Sequence, residues 1–189
     1  MKSYVIASSH SQSCKETLGG VLMDDLIEEV IQRLKERQNS ETTVTFDQQI
    51  NPPDEQTFIN HEKVILEDTS ISFIADLYSM KNDNPWVAWI LQGIKYGVRF
   101  FIKIDKQMVS FIPRMMVLDW PIIFVVGDKS PLIASRGRII SRGEIAAFPD
   151  NSILVKYYKQ FLTDEAKNIC RYKNITVKVR TEEDCIWLK

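Results

Sequence analysis

The stretch NPWVAWILQGIKYGVRFFIKID, residues 84–105, reads as a helix, a stop and a strand. Asn84 ahead of Pro85 is a good N-cap and first-turn pair: the amide side chain accepts from a free backbone N–H, and proline has no N–H to lose. Val87, Ile90, Leu91 and Ile94 recur at helical spacing. Gly97 stands where a helix gives way to a left-handed residue. VRFFIKID is then β-branched and aromatic, nearly continuous in apolar character, which predicts a strand covered on both faces as in a parallel sheet.

Working outward, the same alternation continues. VILED (64–68) is of strand length, and SISFIADLYSM (70–80) places Ile71, Ile74, Ala75 and Tyr78 at helical spacing behind a cap at Thr69 or Ser70. PIIFVV (121–126) is a strand. GRII, SRGEIAAF and ILVKYY (137–158) repeat strand, short helix, strand. Thr163 opens a helix with Asp164 and Glu165 in its first turn, where the helix dipole favours acids. In ITVKVR, Ile175, Val177 and Val179 alternate onto one face. Strands alternating with helices predict an α/β sandwich with a mostly parallel sheet over residues 63–189.

Ahead of this domain the pattern differs. LMDDLIEEVIQRLKER (22–37) places Leu22, Met23, Leu26, Ile27, Val30, Ile31 and Leu34 in one stripe at 3.6 residues per turn. Acids fill its N-terminal half and bases its C-terminal end, in the order the helix dipole prefers, and Gly19–Gly20 should stop the helix upstream. Residues 39–62 lack periodicity, contain Pro52–Pro53 and read as a polar linker. The expected organisation is therefore an N-terminal segment with an amphipathic helix (1–38), a linker (39–62) and an α/β domain (63–189). An isolated helix of this length is marginal in water, so its stripe needs a groove. Either another chain or the helix's own sheet would supply it; in the first case Leu22, Leu26, Ile27, Val30, Ile31 and Leu34 are the partner-binding residues.

Composition narrows the function classes. Of 189 residues 44% are hydrophobic and 26% charged, as in a soluble globular protein. Twenty-four bases against 25 acids give a net charge of −1, which argues against a dedicated nucleic-acid binder. No apolar run approaches the roughly 20 residues that span a bilayer, and the N-terminus lacks the apolar core of a signal peptide, so no membrane partner and a cytoplasmic location are expected. Cys14, Cys170 and Cys185 are too few and too scattered for a disulfide framework. His10 and Cys14, four apart, would need further ligands, and no metal site is expected.

Catalytic motifs are missing. There is no G-x-G-x-x-G, no Walker A sequence and no G-x-S-x-G elbow. ASRGRIISRGE (134–144) has the arginines and glycines of a phosphate cradle but reads better as a solvated turn. His61 has Glu62 and Asp68 within reach. Cys170 lies inside a helix, on its buried side. Trp86, Trp89 and Trp120 are expected in the core or at an interface. A second function class stays open on the same frame: flavin or nucleotide binding, at Gly97 ahead of VRFFIKID or at the FVVGDKS strand end (124–130), where α/β folds hold ligands. No cofactor is assigned.

Three segments together resemble a known family. LIEEVIQRLKER (26–37), WILQGIKYGVRFFIKIDKQMVSFIP (89–113) and FLTDEAKNICRYKNITV (161–177) are similar, in order and spacing, to segments of the PduM family of the bacterial propanediol-utilisation microcompartment. The resemblance implies a non-catalytic structural part in assembling that protein-shelled organelle, with shell or cargo proteins, or a second copy, as partners. It brings no catalytic residues to carry over.

Overall fold

The computed structural model describes residues 16–180 and divides into two units, 1–38 and 39–189. The described residues of the first form the helix α1 (Glu16–Gln38), which runs through Gly19–Gly20 instead of stopping there. Two glycines cost a helix about 1 kcal/mol each relative to alanine, a weak bias that need not end it.

The second unit opens with β1 (Glu41–Thr45) and α2 (Gln56–Asn60), followed by β2 (Lys63–Glu67), α3 (Ile71–Tyr78), α4 (Pro85–Lys95) and β3 (Arg99–Ile104). A short 3-10 turn at Met108–Ser110 leads to α5 (Arg114–Asp119), β4 (Ile122–Val126) and β5 (Ser130–Ala134). Then come β6 (Ile139–Ile140), α6 (Arg142–Ala147), β7 (Ile153–Tyr157), β8 (Phe161–Leu162), α7 (Asp164–Tyr172) and β9 (Thr176–Arg180). The expected α/β class with a mostly parallel sheet is present. Seven strands form one sheet in the order β1-β2-β3-β4-β5-β7-β9, and only the β4–β5 pair is antiparallel. β6 and β8 form a separate parallel pair.

Residues 39–62, expected as a linker, belong instead to the folded unit. β1 pairs in register with β2, from Glu41 opposite Lys63 to Thr45 opposite Glu67. Phe46 and Phe58 are buried. Phe46 stacks at 4.4 Å from Phe73, and the Trp86 indole N–H donates to the Asp47 and Ile50 carbonyls. An edge strand needs only one covered face, so ETTVT can be built from polar β-branched residues, and two phenylalanines twelve apart show no period.

The local signals at residues 84–105 act as expected. The Asn84 side chain accepts from the Trp86 N–H, and Gly97 takes φ +73° just past α4. The Ser70 hydroxyl caps α3 through the Phe73 N–H, and Thr163 caps α7 through that of Ala166. The buried side of α3 is Phe73, Ile74 and Leu77, with Ile71 and Tyr78 at its margin.

One strand reversal decides which faces are covered. β1 to β4 advance across the sheet in parallel, and right-handed crossovers then place every connecting helix on one face. After the β4–β5 hairpin the strands point the other way while the order advances in the same direction, so the same handedness puts later helices on the opposite face. The cores follow this rule. One core joins Phe58, Phe73, Ile74, Ile90 and Met116 to Val64, Leu66, Phe100, Ile102 and Phe124, and continues to Leu132, Ile153 and Val155. The other joins Ile145, Ala166 and Cys170 to Ile140, Leu154 and Ile175. Ile153 and Leu154, neighbours in β7, thus serve opposite cores.

The two-sided cover expected for VRFFIKID therefore does not hold. Burial in β3 alternates: Phe100, Ile102 and Ile104 are buried, Arg99 is exposed, and Phe101 and Lys103 are half-buried. In β9 the single face expected for Ile175, Val177 and Val179 fades outward, since Val179 is 58% exposed. Buried Arg180 and Arg114 instead tie the segment around α5 to this half of the sheet, donating to the Ile112 and Ser135 carbonyls.

Gly93 shows how closely α4 meets the sheet. A Cβ built there would lie 2.5 Å from the Phe100 ring and 2.8 Å from the Phe58 ring. Both rings are fully buried, so neither can swing away. Gly93→Ala is therefore expected to destabilise the fold by about 1–3 kcal/mol of overpacking, against helix propensity that alone would stabilise it. Chemical denaturation of the variant beside wild type reads the sign directly.

Candidate functional site

The surface feature least explained by folding is on α1. Met23, Leu26, Ile27, Val30, Ile31 and Leu34 form one stripe, and all six are 44 to 64% exposed. The polar side is organised within the helix. Arg33 Nη2 lies 2.7 Å from Glu29 Oε1, and Gln32 donates to Glu36 at 2.9 Å, both one turn apart. Such exposed pairs contribute only a few tenths of a kcal/mol each. They keep α1 helical without covering its apolar side. Leu22, expected in the same stripe, has its side chain outside the described residues.

A second apolar surface was missed. The face of β1–β4 turned away from the helices lies outside both cores, and on it Thr43, Ile65, Phe101 and Ile123 are cross-strand neighbours in one row. Charges border the row: the Lys103 ammonium sits 2.6 Å from Glu67 and 3.7 Å from Asp128, and Arg99 sits 2.8 Å from Glu62. The Glu67 carboxylate beside it raises the Lys103 ammonium above its usual pKa. The sequence did carry a signal. Charges at 63, 67, 99 and 103, two residues either side of Ile65 and Phe101, mark a strand face turned toward water.

The other candidates are absorbed by structure. His61 Nδ1 shares a hydrogen bond with Ser40, and the Glu62 carboxylate pairs with Arg99. In ASRGRIISRGE the Ser135 hydroxyl accepts from the Gly137 N–H, Arg136 pairs with Asp119, and Ser141 caps α6 through the Glu144 N–H. The Gln160 amide donates to the Ser135 and Gly137 carbonyls and closes the loop. FVVGDKS is no crossover mouth: Gly127, at φ +61°, turns β4 back into antiparallel β5. Trp86 and Trp89 are buried, and Trp120 packs at the core margin. Among the described residues no group of three or more His, Cys, Asp or Glu side chains is placed to hold a metal, and no helix is long and apolar enough to cross a membrane. His10, Cys14 and Cys185 lie outside the described residues.

Cys170 is buried on α7, and burial pushes its thiol up from the ordinary cysteine value. The thiolate is the reactive form, so this side chain is suited to packing. Iodoacetamide at neutral pH is expected to leave Cys170 unlabelled in the native protein and to label it in denaturant, as peptide mass spectrometry will show.

A family model described as "PDU_like: Putative propanediol utilisation" matches residues 25–176, and the chain belongs to that family. Within it a curated relative, the bacterial microcompartment assembly protein PduM of Salmonella typhimurium (strain LT2), is 20% identical over 158 residues, covering 84% of this chain and 96% of the relative. No solved structure matches the chain.

Proposed function

We propose that this chain is a non-catalytic assembly protein of a bacterial propanediol-utilisation microcompartment, joined to shell or cargo proteins through Leu22, Leu26, Ile27, Val30, Ile31 and Leu34. The observation that carries the reading is the exposed stripe on α1. Desolvating each such side chain fully is worth about 1.5–3 kcal/mol, enough to anchor a helix in a groove after the cost of ordering is deducted. Family membership and the assembly role in the relative's name supply the context. In the sheet unit, the residues that invited a catalytic reading form caps, turns and loop ties.

The test is fractionation of cells making this chain together with the shell proteins and enzymes of a propanediol-utilisation microcompartment. The tagged full-length protein should sediment with intact compartments and stay with them through washing. Recovery only in the soluble fraction, from cells whose compartments are otherwise intact, would reject the reading.

A further inference from the structure

We propose that residues 181–189 fold back onto the corner of the sheet unit where β9 ends and α5 begins. Glu182, Glu183 and Asp184 would face Arg114, Arg180 and Lys159, and Ile186, Trp187 and Leu188 would lie on Phe111 and Met115. The inference is independent of the docking role given to α1. The segment TEEDCIWLK follows directly on Arg180 and joins three acids to an apolar run. Both parts have a counterpart at the place where β9 ends.

The charged counterpart is a set of three cations. Arg180 and Arg114 are 9% and 4% exposed, and they donate to the Ile112 and Ser135 carbonyls. A guanidinium keeps its charge at every working pH and carries five N–H donors, and a carboxylate is the acceptor that forms its strongest hydrogen bonds. Buried charges are screened far less than exposed ones, so this pair draws an acidic run at short range. Lys159 adds a third charge beside the chain exit. The Arg180 carbonyl accepts from the Tyr158 N–H at 2.8 Å, and the Lys159 ammonium lies 5.4 Å from the centre of the Tyr158 ring.

The apolar counterpart flanks Ile112. Phe111 is half-buried, and Met115 in α5 is 36% exposed. An extended chain advances at most about 3.5 Å per residue, so Ile186, six residues past Arg180, stays within roughly 21 Å of it. Phe111 is one residue from the carbonyl that the Arg180 side chain itself holds, well inside that radius.

Hydrogen exchange of the full-length protein, read by mass spectrometry on the peptide that spans residues 181–189, tests this. Exchange there is expected to be at least about tenfold slower than in a free peptide of the same sequence. Glu182→Lys/Glu183→Lys/Asp184→Lys, and separately Met115→Asp, should return it to the free-peptide rate. Protection of β2, β3 and β4 at the wild-type level shows that each variant is folded, and the charge variant alters no residue of either core. Free-peptide exchange in the wild type overturns the proposal, and so does protection that survives either variant. Protection that appears only as the protein concentration is raised would put the segment on a second copy, which also overturns docking on its own chain.

Discussion

Removing residues 1–50 is expected to unfold the sheet unit, whereas removing residues 1–38 should leave its thermal transition close to that of the full chain. Among the described residues the first buried core member is Phe46, so the shorter truncation keeps every described member of both cores. The longer one takes away all of β1 and its five-residue pairing with β2. It also removes Phe46, which packs against Phe73 at 4.4 Å and edge-on to Trp86 at 5.2 Å. Loss of one buried phenylalanine side chain alone costs about 3–5 kcal/mol. The Trp86 indole N–H would lose both carbonyl acceptors, a further penalty of about 1–3 kcal/mol for a buried donor left unpaired. Together these approach the 5–15 kcal/mol that holds a typical domain folded, roughly its whole margin. Calorimetry of the two truncations separates the outcomes: equal, low transitions in both would mean that the fold depends on the first 38 residues.

Phe100→Ala should be the most damaging single substitution. Phe100, the second residue of β3, is fully buried in the core beneath α4. Its ring lies edge-on to Trp89 at 5.6 Å and to Phe58 at 6.4 Å, and its far end fills the space left by Gly93. The cavity would be walled by rings that cannot collapse into it, so the cost sits toward the upper end of about 3–5 kcal/mol. For a chain of this size the melting temperature should drop by about 10 °C or more. Phe101→Ala, one residue along and on the uncovered face, should cost far less. Comparable losses at both positions would mean that the second face of β3 is packed after all.

Those neighbours also show how far the fold could be read from sequence. Asn84, Pro85 and Gly97 bound α4 through local chemistry, and Thr163 and Ser70 cap their helices for the same reason, so these elements were legible. What failed was tertiary. FFIKI looks apolar throughout because Phe101 occupies the uncovered face between Arg99 and Lys103, and the parallel winding of β1 to β4 in one direction keeps their connecting helices on the other face. Residues 39–62 look like a tether in sequence because β1 is a polar edge strand whose pairing with β2 leaves no mark in its own composition. Gly19–Gly20 sit inside α1 because propensity is a weaker constraint than an expected stop suggested. On α1 the stripe was visible as periodicity; which surface receives it is not written in the helix alone.

The docking role is tested most directly by comparing the share of wild-type and Leu26→Asp/Val30→Asp chains that sediments with purified compartments, at equal expression and with matched melting transitions for the sheet unit. The proposal predicts that the variant falls to the level of an unrelated soluble protein while remaining folded. A variant that sediments as fully as wild type would contradict it.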